Sequence, residues 1–375
     1  MPDRLRIAFF ASSLVSSYWN AAAMYYRGLA RALHARGHAL TFYEPDAFER
    51  QAHRDLQDPP WARAVVWDPA RPDDLERCLE EARAADLVVK ASGVGLHDAL
   101  LEKRVLELRS PGNRIAFWDM DPPATLQRLG SSPADPFRAL VPRYDLVFTH
   151  GGGDPAMRAY RALGARFCVT IHGAVDPATH RPAPPDPRFD AHLAFLGDRL
   201  PDREGLVDEL FLRPAAVLPA RRFLLAGSGW EDKRLPPSVR LVGHLGEADH
   251  NAFNSTPLAV LALSRDGTGR NGFSPATRVF EAAGAAACIV SDEWEGLDRF
   301  LEPGAEVLPA RDGAEVAEIL AGLTPARARR VGLAARRRVL AEHTYGRRAE
   351  EIEAALGIAP APVRSEPAVA PGGAV

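Results

Sequence analysis

Residues 271–290, "NGFSPATRVFEAAGAAACIV", place an arginine and a glutamate three positions apart, just after a Gly-Phe-Ser-Pro turn. Ser274 is a good N-cap and Pro275 suits a first helical position, so the pattern predicts a helix that starts there. The unpaired N–H groups and the dipole at such an end attract an anion. Arg278 and Glu281 share one face of that helix. A phosphate at the helix start with a hydroxyl-rich group near Glu281 suits this face, and so does a plain intrahelical ion pair.

Alternating strands and helices must position that face. Short apolar runs at 5–10, 38–45, 85–92, 114–121, 144–150 and 165–172 read as buried strands with helical segments between them, the first helix spanning about Ala21 to Arg36. Nearly continuous apolar strands separated by helices indicate a parallel sheet covered on both faces. A proline-dense stretch, "HRPAPPDPRFDA", interrupts the pattern and reads as an interdomain linker. Strands resume at 192–198, 221–229, 239–245, 257–264 and 287–292, and helices near 313–322 and 325–342 close the pattern. The expected fold class is α/β, with two doubly wound domains facing across a cleft: 1–178, a linker at 179–191, and 192–345. Ligands in such sheets bind beyond the carboxyl ends of the strands. Residues 357–375, rich in Pro, Ala and Gly, read as a disordered tail.

Composition narrows the classes. The 375 residues suffice for two full cores. With 46 Lys+Arg against 49 Asp+Glu, nothing favours nucleic acid or an anionic membrane surface as a partner. Cys78, Cys168 and Cys288 are far apart, form neither a metal spacing nor a disulfide framework, and fit a reducing compartment. The N-terminus has no signal-peptide layout and no apolar stretch approaches membrane-spanning length, so a cytoplasmic protein is expected.

The first strand-to-helix turn, "FFASSLVSSYWNAA", has no G-x-G-x-x-G, which disfavours a nicotinamide or flavin dehydrogenase. G-x-x-x-x-G-K-[ST] is also missing. The stretch from "LVGHLGEADH" through "EVAEIL" resembles the C-terminal half of GT-B glycosyltransferases, more narrowly their CgeB-like (spore-maturation-protein-like) group. "SSYWNAAAMYYRGLARALHARGHALTFYE" and "YDLVFTHGGG" are similar to the first domain of that group. The resemblance covers roughly residues 5–345 and implies GT-B architecture. It also implies transfer of a sugar from a nucleoside-diphosphate donor held by the C-terminal domain, to an acceptor entering from the N-terminal side.

By that resemblance Glu281 is the ligand of the donor ribose. Seven residues from Ser274 at about 1.5 Å each is roughly 10 Å, and helical side chains lean back toward the N-terminus. Gly272, Phe273, Ser274 and Thr277 would form the loop and first-turn amides around the diphosphate, and Arg278 would pair with phosphate or with Glu281. "FLGDRLPDREGL" resembles the stretch whose basic residues reach the pyrophosphate, here Arg199 and Arg203; side chains and helix dipoles would stabilise the leaving group without a metal or other cofactor. Gly227 and Gly243 would shape the base pocket.

His150, at a strand end before Gly151-Gly152-Gly153, is a candidate to activate the acceptor hydroxyl or to touch the sugar, or else a structural hydrogen-bonder. Asp119 or Asp121 in "FWDMDPP" is an alternative general base; their likeness to a metal-binding D-x-D reads as coincidence. Many retaining relatives carry an acidic residue eight positions before the ribose glutamate, where this chain has Phe273, with Asn271 and Asp266 the nearest polar residues. That departure leaves the stereochemical outcome open. Two alternative functions stay open: a nucleotide-sugar epimerase or hydrolase of the same fold, or a non-catalytic nucleotide-sugar-binding module, which the missing acidic residue at Phe273 keeps open.

Overall fold

Apolar strands flanked by amphipathic helices form two parallel sheets in a computed structural model that describes residues 3–18, 20, 22–201, 203–264 and 275–358. The first unit runs β1 (Arg6–Phe10), α1 (Ala23–Ala35), β2 (Ala39–Pro45), β3 (Arg63–Trp67), α2 (Pro72–Ala82), β4 (Leu87–Ala91), α3 (Asp98–Arg104) and β5 (Arg114–Asp119). It continues through α4 (Pro122–Ser131), α5 (Pro136–Leu140), β6 (Leu146–Thr149), α6 (Gly153–Ala162) and β7 (Cys168–Thr170). The second unit runs β8 (Leu193–Leu196), α7 (Glu204–Val207), α8 (Arg213–Val217), β9 (Phe223–Ala226), β10 (Val239–Gly243), α9 (Glu247–Ser255) and β11 (Ala259–Ala262). Next come α10 (Thr277–Gly284), β12 (Ile289–Asp292), β13 (Leu308–Ala310), α11 (Gly313–Gly322), α12 (Pro325–Glu342) and α13 (Tyr345–Ala355).

The seven-stranded sheet has the order β3-β2-β1-β4-β5-β6-β7 and the six-stranded sheet β10-β9-β8-β11-β12-β13. Each order reverses direction beside its first strand, between β1 and β4 and between β8 and β11, and there the loops part to leave a crevice. This is the doubly wound α/β architecture that the strand pattern predicts. Two edge strands escape that pattern. β3 carries the apolar run Ala64–Trp67 but is mostly half-exposed, and β13 has only three residues.

The chain does not end in the second unit. α13, which sequence periodicity did not mark, returns to pack on α1, and Ala349, Ile352, Leu356 and Ile358 join Leu5, Phe9 and Leu33 in the first unit's core. The second unit therefore closes where the chain crosses back, and the expected tail begins later than residue 357, because Ile358 is buried. Residues 359–375 lie outside the described residues. The proline stretch is a fixed strap. Backbone N–H groups of Arg181, Ala183 and Asp186 donate to the side chains of Asn251, Ser255 and Thr256 at and just beyond α9.

Gly28 on α1 permits the return of α13. A Cβ at this position would lie 2.2 Å from the Tyr345 ring. Gly28→Ala should lower stability by about 1–3 kcal/mol, the usual range for overpacking. Gly130→Ala, in α4 with nothing within 4 Å of the new Cβ, should be neutral or stabilising. Urea unfolding of both variants checks the contrast.

Candidate functional site

The carboxyl ends of the two sheets look onto an interdomain crevice. Met24, Arg27, Gly28 and Arg31 of α1 line it from the first unit, Thr277 and Glu281 of α10 from the second, with Asp176, Thr179, His180 and Tyr345 between them. Those α1 positions follow i, i+3, i+4, i+7 spacing, one face of a helix. Two arginines on that face were the sequence signal for this wall, and the sequence reading missed it.

Glu281 is 8% exposed, and its carboxylate lies 3.7 Å from the Arg278 guanidinium, whose side chain is 41% exposed. The helix beneath them starts later than Ser274 and Pro275 suggested. Ala276, in extended conformation with ψ 138°, is the N-cap and Thr277 the first helical residue, so Pro275 precedes the helix. Among the described residues no side chain caps α10, whose first residue, Thr277, lines the crevice. Thr277 to Glu281 spans about 6 Å of helix axis. The expectations placed on Asp266, Asn271, Gly272, Phe273 and Ser274 lie outside the described residues.

The cations beyond β8 are strongly engaged. Arg199 binds Glu204 at 2.8 Å and Asp232 at 2.7 Å. Lys233, which the sequence reading did not single out, binds the same Glu204 at 2.5 Å and Asp208 at 2.7 Å. Arg199 and Lys233 together pull the Glu204 carboxyl down to about 2. Arg203 is half-buried at the N-cap of α7. Gly227 follows β9 and Gly243 ends β10, joined by a Gly227 N–H to Gly243 carbonyl bond of 2.7 Å. At Gly227 (φ 129°) a Cβ would lie 2.1 Å from the Gly197 carbonyl oxygen, so only glycine fits between the β8 and β9 loops.

Asp119 and Asp121 do not form a matched pair. Asp119 is fully buried and accepts hydrogen bonds from Ser92 Oγ at 2.9 Å, Thr125 Oγ1 at 2.8 Å, Tyr160 OH at 2.6 Å and the Asp121 N–H at 3.2 Å. Burial pushes its carboxyl above the ordinary value, although these donors pull the other way. Its lone pairs are taken and it does not reach the crevice, so the general-base reading of Asp119 is replaced by one of tying β4, β5 and α6 together. Asp121 is exposed and caps α4, accepting from the Ala124 N–H at 3.3 Å. Asp121 therefore has a helix to cap, and a base role has no geometric support.

His150 is half-buried, its ring edge-on to Tyr25 at 4.4 Å between centroids. Its Nε2 lies 3.7 Å from where a Cβ on Gly173 would stand, and Phe280 of α10 is as close to that point. His150 thus sits where the two units meet, near His172, which in turn lies in the field of Arg348 and His343. Burial, then Arg348, drives His172 down to about 3; burial, then Arg348, drives His343 down to about 4. Neutral His343 Nδ1 accepts from Arg348 Nη2 at 3.1 Å. Across the same junction Arg299 reaches Asp154, in the first turn of α6, at 3.3 Å.

Residues 203–354 match the family model Glyco_trans_1_2, glycosyl transferase-like. No curated protein matches the sequence. Among solved structures, an α-glucosyltransferase in complex with UDP-glucose and DNA containing an abasic site superposes with TM-score 0.69 at 13% identity, covering 94% of this chain and 100% of that one. Anabaena Alr3699/HepE in complex with UDP and glucose gives TM-score 0.65 at 14% identity, covering 94% and 99%. Sucrose-phosphate synthase (tll1590) from Thermosynechococcus elongatus gives 0.64 at 15%, covering 94% and 98%. At these identities the likeness is one of fold: two sheets arranged as in the GT-B architecture.

The junction histidines make stability pH-dependent. Unfolded, these rings titrate near 6.5; folded, near 3 and 4. Between those values the unfolded chain binds more protons, so acid favours unfolding and stability rises with pH across this window. From pH 7 to pH 5 the protein should lose stability, and His172→Asn should lose about 1–2 kcal/mol less. Urea unfolding at the two pH values measures this.

Proposed function

We propose that this protein is a GT-B glycosyltransferase that moves a hexose from a nucleoside-diphosphate sugar to an acceptor entering from the first unit, in the cytoplasm and without a metal. The observation that carries the reading is Glu281: a buried carboxylate one helical turn inside the start of α10, in a crevice walled by both units, within the segment matching the glycosyl transferase-like model. The diphosphate would sit at the Thr277 amides, whose partial positive charge favours an anion. The ribose hydroxyls would then donate to Glu281. The HepE structures hold UDP, glucose or UDP-glucose, and the α-glucosyltransferase holds UDP-glucose; that donor class is what we carry over. Narrowing to the CgeB-like group rests on the sequence resemblance.

For the chemistry, the leaving diphosphate gains charge as the glycosidic bond breaks, and the α10 dipole with Arg278 would stabilise it. Arg199 and Lys233 would join only by shifting away from Glu204, which both now hold. His150 is the proposed group for the acceptor hydroxyl or the sugar, because it directly follows β6, near Phe280 of α10 at the junction. No helix among the described residues is long and apolar enough to cross a membrane.

Glu281→Ala should weaken UDP-sugar binding by about 1.5–3 kcal/mol, the range for hydrogen bonds to a charged group, and Glu281→Gln by less. Isothermal calorimetry on folded variants decides it, and unchanged affinity for Glu281→Ala rejects the ribose assignment. His150→Ala should keep donor affinity and lower single-turnover transfer, or donor hydrolysis, by about 10²–10⁴. Full turnover in that variant removes His150 from the chemistry.

A further inference from the structure

The crevice lies at the carboxyl ends of the strands, and the opposite end of the first sheet carries a different surface. Strands β5, β6 and β7 are adjacent, with Ala116 beside Leu146 and Val147 beside Cys168, so their amino ends form one rim. Arg114 begins β5, Arg143 lies just before β6, and Arg166 and Phe167 lie just before β7. The Phe167 carbonyl accepts from the Val147 N–H at 2.8 Å, which sets Phe167 in the row of Leu146 and Ala116. Arg114, two residues before Ala116, therefore shares its face of the sheet. The turn after α6 closes the rim. Gly164 stands against Pro142, where a Cβ would meet the proline Cγ at 2.8 Å. Its N–H donates at 2.9 Å to the carbonyl of Arg161, in the last turn of α6.

This rim is basic and presents a ring to solvent. Arg114, Arg143, Arg161 and Arg166 are all exposed, and among the described residues none has a carboxylate within ion-pair distance. Asp86 and Asp145, at the same end of β4 and β6, are already held by Arg6 at 3.2 Å and Arg109 at 2.7 Å. Phe167 is 66% exposed, more than any other large apolar residue among those described. The whole chain is net −3, so this excess of positive charge belongs to the rim and not to the composition. Neighbouring guanidiniums without counter-charges repel, and a ring left in water forgoes its burial. An anionic bilayer relieves both, because its phosphates form the outer plane and its acyl chains lie beneath. A single-stranded nucleic acid is bound instead by a groove along its backbone with successive aromatic platforms, and this rim has one ring.

We propose that the amino-terminal rim of β5, β6 and β7 docks the protein on an anionic phospholipid surface, with Phe167 entering the headgroup boundary and the four arginines lying on lipid phosphates. This inference stands apart from the donor reading. The lengths of β6 and β5, four and six residues, separate the rim from the crevice by about 13–20 Å, so docking leaves the crevice open.

Co-sedimentation of the full chain with vesicles of equal parts phosphatidylglycerol and phosphatidylcholine, against vesicles of phosphatidylcholine alone, tests this. The anionic vesicles should carry the protein down and the neutral ones should not, and rising salt should weaken the binding. Arg143→Ala and Arg166→Ala should each lower the partition coefficient about fivefold. Phe167→Ser should lower it too, whereas Phe167→Trp retains it. The control is Arg329→Ala, at another exposed arginine without an ion-pair partner among the described residues, on α12, and it should bind as the unaltered chain does. No binding to the anionic vesicles, equal binding to both kinds, or an equal loss in the Arg329 control overturns the proposal. So does an oligothymidylate that displaces the protein from the vesicles and itself loses affinity with Arg143→Ala and Arg166→Ala, since nucleic acid would then be the occupant.

Discussion

Two backbone hydrogen bonds hold this molecule in its working arrangement. The Val175 N–H donates to the His343 carbonyl at 2.8 Å, and the Tyr345 N–H donates to the Val175 carbonyl at 3.3 Å. They join the two places where the chain passes between units, so the crossings run side by side as a parallel bridge. Arg348, 3% exposed, donates to the carbonyls of His172 at 3.1 Å and Gly173 at 3.3 Å, which fixes the first crossing to α13. A buried guanidinium needs such partners, because an unpaired buried charge is strongly destabilising. The facing of α1 and α10, and with it the crevice, follows from that joint.

The joint also explains the neutral histidines. His172 and His343 share low-dielectric surroundings with Arg348, and a second positive charge there would face both desolvation and repulsion. Close packing reinforces the arrangement. Gly284 of α10 sits against Val175, and Gly332 of α12 against the Ala286 carbonyl.

The cations near the crevice and beyond β8 are matched by carboxylates. Arg27 is held by Asp55, Arg31 by Asp176 at 2.6 Å, and Arg199 and Lys233 by three carboxylates. Under the proposed reading, a diphosphate would compete with these carboxylates for the cations, which makes the first-turn amides of α10 its simpler contact. Specificity would then come from which ion pairs the ligand can replace.

The sequence by itself determined the doubly wound α/β class and the pairing of Arg278 with Glu281 on one helix. These follow from local periodicity, where apolar spacing dictates element type and helix geometry dictates which neighbours share a face. Only the tertiary structure decided what the polar residues do. Asp119 reads as a cleft base in sequence, but three hydroxyls from β4, α4 and α6 and one backbone amide converge on it. Lys233 looks like a surface lysine until it meets Glu204 from 29 positions away. The return of α13 was invisible because its partner, α1, lies more than 300 residues earlier, as the Arg36–Glu353 pair shows. Burial and ion pairing are set by which elements the fold brings together, and no window along the chain contains that information.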